Sequence, residues 1–159
     1  MLFLVDSMFG NVARKLQLLG YDSKYDSDFG DLKILEIAKN EKRAIISKDR
    51  ELIIRSKKQG IPSVYVTKED GIGQFLEILE HIPLKINTIS GDSARCTKCN
   101  FTTSRIEKSK IVKKVPEKVL EFNKKFWKCD KCDQIYWEGT HIKKLQEFLY
   151  QIKLGRNRA

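Results

Sequence analysis

Four cysteines stand in two Cys-x-x-Cys pairs, Cys96/Cys99 and Cys129/Cys132, with 29 residues between the pairs. Asp6, Asp31 and Asp49 stand at the edges of apolar runs, and Asp70, beside Glu69, is a fourth acidic candidate. These two sets imply different metal chemistry. Two Cys-x-x-Cys knuckles complete a four-sulfur tetrahedral shell, so Cys96, Cys99, Cys129 and Cys132 are the expected ligands of Zn²⁺. A full shell leaves no position for water, so that zinc is structural. It would contribute on the order of 10 kcal/mol to a module this small. A thioredoxin-like dithiol is the alternative, but it needs one pair at a helix start, not two matched pairs. Each knuckle is followed by Asn100 or Asp133, residues that suit a tight turn.

Gathered carboxylates repel, by roughly 4 kcal/mol for a pair about 4 Å apart at an effective dielectric near 20. A protein brings them together mainly to hold a hard cation, here Mg²⁺ or Mn²⁺. Such an ion activates water and neutralises charge at a phosphodiester. By spacing alone, Asp31 and Asp49 are equally readable as helix caps.

The elements that position these residues follow from periodicity. Residues 2–5 form an apolar run ending at Asp6. Val12, Leu16 and Leu19 recur at helical spacing up to Gly20, and residues 21–25 suit a short strand. Asp31 opens a helix with Leu32, Leu35 and Ala38 on one face, where its carboxylate would cap free N–H groups. A strand over 43–47, a helix over 49–58 closed by Gly60, a strand over 63–66 and a helix over 72–82 complete a βαβαβαβα order. That order implies an α/β domain with a parallel central sheet between helices over residues 1–84. Working sites in such sheets lie at the carboxyl ends of the strands. Asp6, Asp31 and Asp49 all fall there, so they are expected to converge.

Residues 87–92 read as a linker. A four-cysteine ribbon over 94–140 follows, then an amphipathic helix carrying Ile142, Leu145, Leu149 and Ile152. That helix needs a partner for its apolar face, and a basic tail with Arg156 and Arg158 follows Gly155. Thr140 is the expected N-cap. His141 is expected to be structural or to face RNA, and His81 to be an ordinary surface residue.

Net charge is +10 and unevenly placed. Residues 1–84 carry 13 Lys and Arg against 13 Asp and Glu, whereas residues 85–159 carry 18 against 8. A polyanion held by the basic half explains this; so does a solvated lysine-rich surface in a heat-adapted organism. The spacer between the knuckles interleaves lysines, including Lys113, Lys114, Lys124 and Lys125, with Phe101, Phe122, Phe126 and Trp127. Cations track phosphates and aromatic faces stack on unpaired bases, although most of these aromatics are expected to form the ribbon's own core. Arg14, Lys48 and Arg50 lie near the acidic rim in sequence and suit phosphate contact or plain solvation. Five apolar residues before Asp6 are too few for a signal peptide, which points to a cytoplasmic protein.

Residues 4–22, from Leu4-Val-Asp through Leu19-Gly-Tyr-Asp22, resemble the opening of the PIN-like ribonuclease family named for the Mut-seven C-terminal domain. So do Asp31 with Leu35 and Ala38 after it, and Ser47-Lys-Asp49. Cys129-x-x-Cys132 followed by Ile135-Tyr-Trp-Glu-Gly-Thr-His141 is similar to that family's ending. The resemblance spans nearly the whole chain in order. It implies a three-layer PIN-like fold, metal-dependent hydrolysis of RNA and an appended zinc ribbon. It carries Asp6, Asp31 and Asp49 over as acidic metal-site residues, whereas no clear motif surrounds Asp70. Ser47 stands where related sequences often have Thr, and either hydroxyl suits a hydrogen bond within the acidic site.

A non-catalytic protein binding RNA, ribosomal RNA or the ribosome is the competing reading, since the basic half alone suffices for it. The PIN–ribbon nuclease that matures small-subunit ribosomal RNA is a close variant, from which the Tyr136–His141 ending departs. A toxin-like PIN ribonuclease fits less well, being usually a single domain.

Overall fold

The computed structural model describes residues 1–25, 28, 30–86 and 88–157, apart from the side chains of Thr140 and His141. Its first unit is β1 (Leu2–Val5), α1 (Gly10–Leu18), β2 (Asp22–Tyr25), α2 (Asp31–Glu41), β3 (Ala44–Ser47), α3 (Arg50–Lys58), β4 (Ser63–Tyr65) and α4 (Gly71–His81). The four strands are all parallel in the order β2-β1-β3-β4. The expected alternation is therefore observed. Buried apolar runs such as Phe3-Leu4-Val5 and Ala44-Ile45-Ile46 make both faces of the sheet core, as parallel strands require. Phe3, Val5, Ile46 and Val64 pack with α1 and α4 on one face. Leu4 and Ile45 pack with Ile34, Leu35, Leu52 and Ile53 of α2 and α3 on the other. Three layers result.

The second unit is an antiparallel sheet, β5 (Thr103–Ile106), β6 (Phe126–Cys129) and β7 (Ile135–Trp137), in that order. The long spacer builds a 3₁₀ turn over Lys108–Ile111 and a short helix, α5 (Glu117–Phe122). These close a small core of Ile111, Leu120, Phe126 and Ile135. Phe126 and Trp127 are buried, but Phe101 and Phe122 are exposed. Two of the four spacer aromatics are thus core.

Residues 88–92 are packed, not a free linker. Ile89 is buried against Leu145 and Leu149. Gly91 lies so close to the Trp127 ring that a Cβ would come within 2.1 Å of Cδ2, and Asp92 Oδ1 accepts the indole N–H at 2.8 Å. Polar residues with a glycine mark a turn, but they conceal that the turn is pinned by a distant tryptophan. Asn87 lies outside the described residues.

The last helix, α6, spans Thr140–Arg156, running past Gly155; Gly139, not Thr140, is its N-cap. Arg158 lies outside the described residues. The helix returns to the first unit, where Ile152 is fully buried with Phe75 and Ile78 and Lys15 Nζ sits 3.9 Å from the Phe148 ring centroid. Among the described residues no helix is long and apolar enough to cross a membrane.

Candidate active site and four-cysteine cluster

Asp6, Asp49 and Asp70 follow β1, β3 and β4 at the carboxyl edge of the sheet, and Asp31 opens α2, the helix after β2. At the centre of that edge, the buried Ser47 hydroxyl donates to Asp6 Oδ2 at 2.6 Å and accepts the Asp49 N–H at 2.9 Å. The backbone reinforces the join, because Asp6 N–H donates to the Ile46 carbonyl. The Ser47 hydroxyl thus bonds to two of the candidate aspartates, Asp6 through its carboxylate and Asp49 through its backbone.

Three of the four carboxylates also serve helix starts, Asp6 that of a 3₁₀ turn over Ser7–Phe9 and Asp49 and Asp70 those of α3 and α4. Asp6 Oδ1 accepts from Ser7 N–H. Asp49 Oδ1 accepts from Glu51 and Leu52 N–H, and Asp70 Oδ1 accepts from Gly73 N–H. Such caps satisfy donors that a helix leaves unpaired. Asp31 does not cap: it is the first residue of α2, and Gly30 is that helix's N-cap. Its carboxylate instead pairs with Arg55 of α3 through Oδ2. Residue type and position suggested a cap, but a guanidinium from the neighbouring helix outcompetes a local N–H.

The basic candidates divide by environment. Arg14 is exposed on α1, and Arg50 is exposed in the first turn of α3. Lys48 is half-buried and faces Glu69 at 3.5 Å. Lys113, Lys114, Lys124 and Lys125 are exposed on the ribbon's spacer. His81 is exposed with its ring nitrogen on the Glu77 carbonyl, while the His141 side chain lies outside the described residues.

At the other site, one sulfur from each of Cys96, Cys99, Cys129 and Cys132 lies within 4.8 Å of every other. Cys96–Cys132 and Cys99–Cys129 approach to 3.6 and 3.4 Å. Zn–S bonds of about 2.3 Å would set tetrahedral sulfurs about 3.8 Å apart, so the donor set and spacing fit zinc. Among the described residues this is the one group of three or more Cys, His, Asp or Glu gathered to hold a metal ion. Both knuckle turns close through left-handed residues, Asn100 (φ 62°) and Asp133 (φ 60°), as their side chains favour. The cluster favours thiolate unevenly. Burial opposes ionisation of Cys96, but the Tyr136 hydroxyl 3.0 Å away and nearby backbone N–H groups bring it down to about 6. Burial pushes Cys99 up to about 12.

A region matching the Mut7-C RNAse domain covers residues 1–149. The chain belongs to this family. No curated protein and no solved structure matches it. As a Mut7-C RNAse domain it combines a four-stranded parallel sheet with a four-cysteine unit, and the two are joined through residues that spacing did not single out. Asp22 Oδ1 accepts from Arg43 at 2.6 Å and from Asn100 Nδ2 at 2.8 Å. Its other oxygen pairs with Arg95 at 3.2 Å, and Asn100 Oδ1 accepts the Ser23 N–H. Burial works against the Asp22 charge, yet these partners hold its carboxyl below the ordinary value. Arg55 and Tyr136 were likewise missed, since nothing local in sequence marks a residue whose partner lies on another element.

Proposed function

We propose that this Mut7-C RNAse domain hydrolyses RNA phosphodiesters endonucleolytically, with Mg²⁺ or Mn²⁺ held by Asp6, Asp31 and Asp49 at the carboxyl edge of the sheet. Residues 1–84 would supply the nuclease unit. The ribbon, residues 94–140, would hold a structural Zn²⁺ on Cys96, Cys99, Cys129 and Cys132 and assist RNA binding. The observation that carries the reading is the Ser47 hydroxyl, which ties Asp6 to the start of the Asp49 loop from two different strands.

Carboxylate oxygens are the hard donors these ions take, and one oxygen each on Asp31 and Asp49 stays outside the pairings and caps described above. A bound ion supplies an acidified water and charge neutralisation at the scissile phosphate. The chain's own part is positioning. Ser47 fixes the rotamer of Asp6, the α3 cap fixes Asp49, and Arg55 steers Asp31. Arg50, at the same edge, suits a phosphate oxygen, and Lys48 joins it once released from Glu69. Asp70 stands one strand further out and is the weakest member of the set.

The test is cleavage of RNA by purified protein with and without Mn²⁺. Cutting is expected only with the ion, and Asp6→Asn is expected to reduce it by about 10²-fold or more while the melting temperature stays close to that of the wild type. Cutting that survives this substitution removes the mechanism.

One observation favours a second reading, an RNA- or ribosome-binding protein without catalysis. Asp31 is engaged by Arg55, and the aspartates do not form an ion-sized group among the described residues. Retained RNA binding with no metal-dependent cutting would establish it.

A further inference from the structure

We propose that the groove between α1, β2 and the first cysteine knuckle binds single-stranded RNA and leads it to the carboxyl edge of the sheet. This rests on the RNA reading above. The groove encloses about 560 Å³, and Arg14, Lys24, Tyr25, Lys98 and Asn100 are among its lining residues.

Its two walls come from different units. One is α1 and β2; the other is the knuckle loop, fixed in place by the Asn100 amide across Ser23 and Asp22. The walls present exposed cations, Arg14 on one and Lys98 on the other, neither with an ion-pair partner among the described residues. Lys24 is neutralised by Glu41. Two unpaired cations across a cleft suit a phosphodiester chain.

Tyr25 sets both direction and strandedness. It pairs in register with Val5, the residue before Asp6, so this end of the groove opens at the acidic edge. Its ring rests on Gly10, where a Cβ would come within 2.8 Å of Cζ, and is partly exposed. An aromatic ring held this way offers a stacking face to an unpaired base. The volume is that of a small-ligand pocket, about 300–1,000 Å³, whereas duplex RNA is read along wide, shallow faces over about 16 base pairs.

The test is anisotropy of a short, unstructured, labelled RNA, with duplex RNA as competitor, in buffer lacking Mg²⁺ and Mn²⁺ so that binding is read apart from cutting. Arg14→Glu and Lys98→Glu are each expected to weaken binding about ten-fold or more and to lower the salt slope by about one. Tyr25→Ala, and Gly10→Ala through displacement of the ring, are expected to weaken it about ten-fold. Arg14 and Lys98 are exposed, so their variants keep the test open if a Tyr25 or Gly10 variant does not fold. Wild-type binding by both charge variants overturns the proposal, as does duplex that competes as well as single strand. Groove-dependent binding without metal-dependent cutting upholds this site and removes the nuclease reading; cutting by a protein whose binding ignores the groove variants does the reverse.

Discussion

The Ser47 hydroxyl donates to Asp6 across the junction of two parallel strands, and the same oxygen receives the Asp49 N–H. Ser47→Ala therefore removes two hydrogen bonds from a fully buried position and leaves the Asp49 N–H without that partner. A loss of about 1–3 kcal/mol is expected, read by chemical denaturation. Mn²⁺-dependent cutting should fall further than stability, because Asp6 loses the contact that fixes its carboxylate. Equal losses in both would mean that the hydroxyl serves the fold alone.

Arg55 gives the complementary experiment. Its pair with Asp31 is partly exposed on both sides, so Arg55→Ala should change stability by under about 1 kcal/mol. If Asp31 belongs to the ion site, freeing it should tighten Mn²⁺ binding several-fold in calorimetry. Unchanged affinity would leave Asp31 as a tether between α2 and α3.

Loss of metal from the four cysteines should be visible from within. Trp127 is buried in β6, two residues before Cys129. A strong chelator, or Cys129→Ser, is expected to open the ribbon and shift tryptophan emission to the red, with stoichiometric zinc release in a colorimetric assay. Retained emission after complete release would show that the ribbon's apolar core holds it unaided.

Asp22 predicts an acid-sensitive joint. Its folded-state carboxyl lies below the ordinary value, against burial, through Arg43, Asn100 and Arg95. A depressed carboxylate contributes stability that is fully present above the unfolded value near 4 and lost as pH falls through the folded one. Asp22→Asn should cost about 2 kcal/mol at pH 7 and flatten the decline of stability below pH 4. A parallel decline in wild type and variant would place the acid sensitivity elsewhere.

The legible part of the molecule was whatever repeats or sits in short-range order. The strands and helices of the first unit followed from alternating apolar runs, and the clustering of the cysteines from Cys-x-x-Cys with a turn-forming residue after each. What spacing could not give was any choice between near and far partners. Asp31 is placed like a cap but pairs with Arg55. Residues 88–92 look like a spacer but are held by Trp127, and Asn100 closes a local turn while its amide reaches Asp22, 78 residues away. Each is a competition between a local hydrogen bond and a tertiary one, decided by packing that periodicity does not encode.

Ile152 of α6 completes the layer between β1 and α4, and this bears on synthesis. A nascent chain that has delivered β1 through α4 still lacks part of the wall of its first core, with apolar surface open until the ribbon and α6 have emerged. Folding of the sheet would then lag behind its own translation.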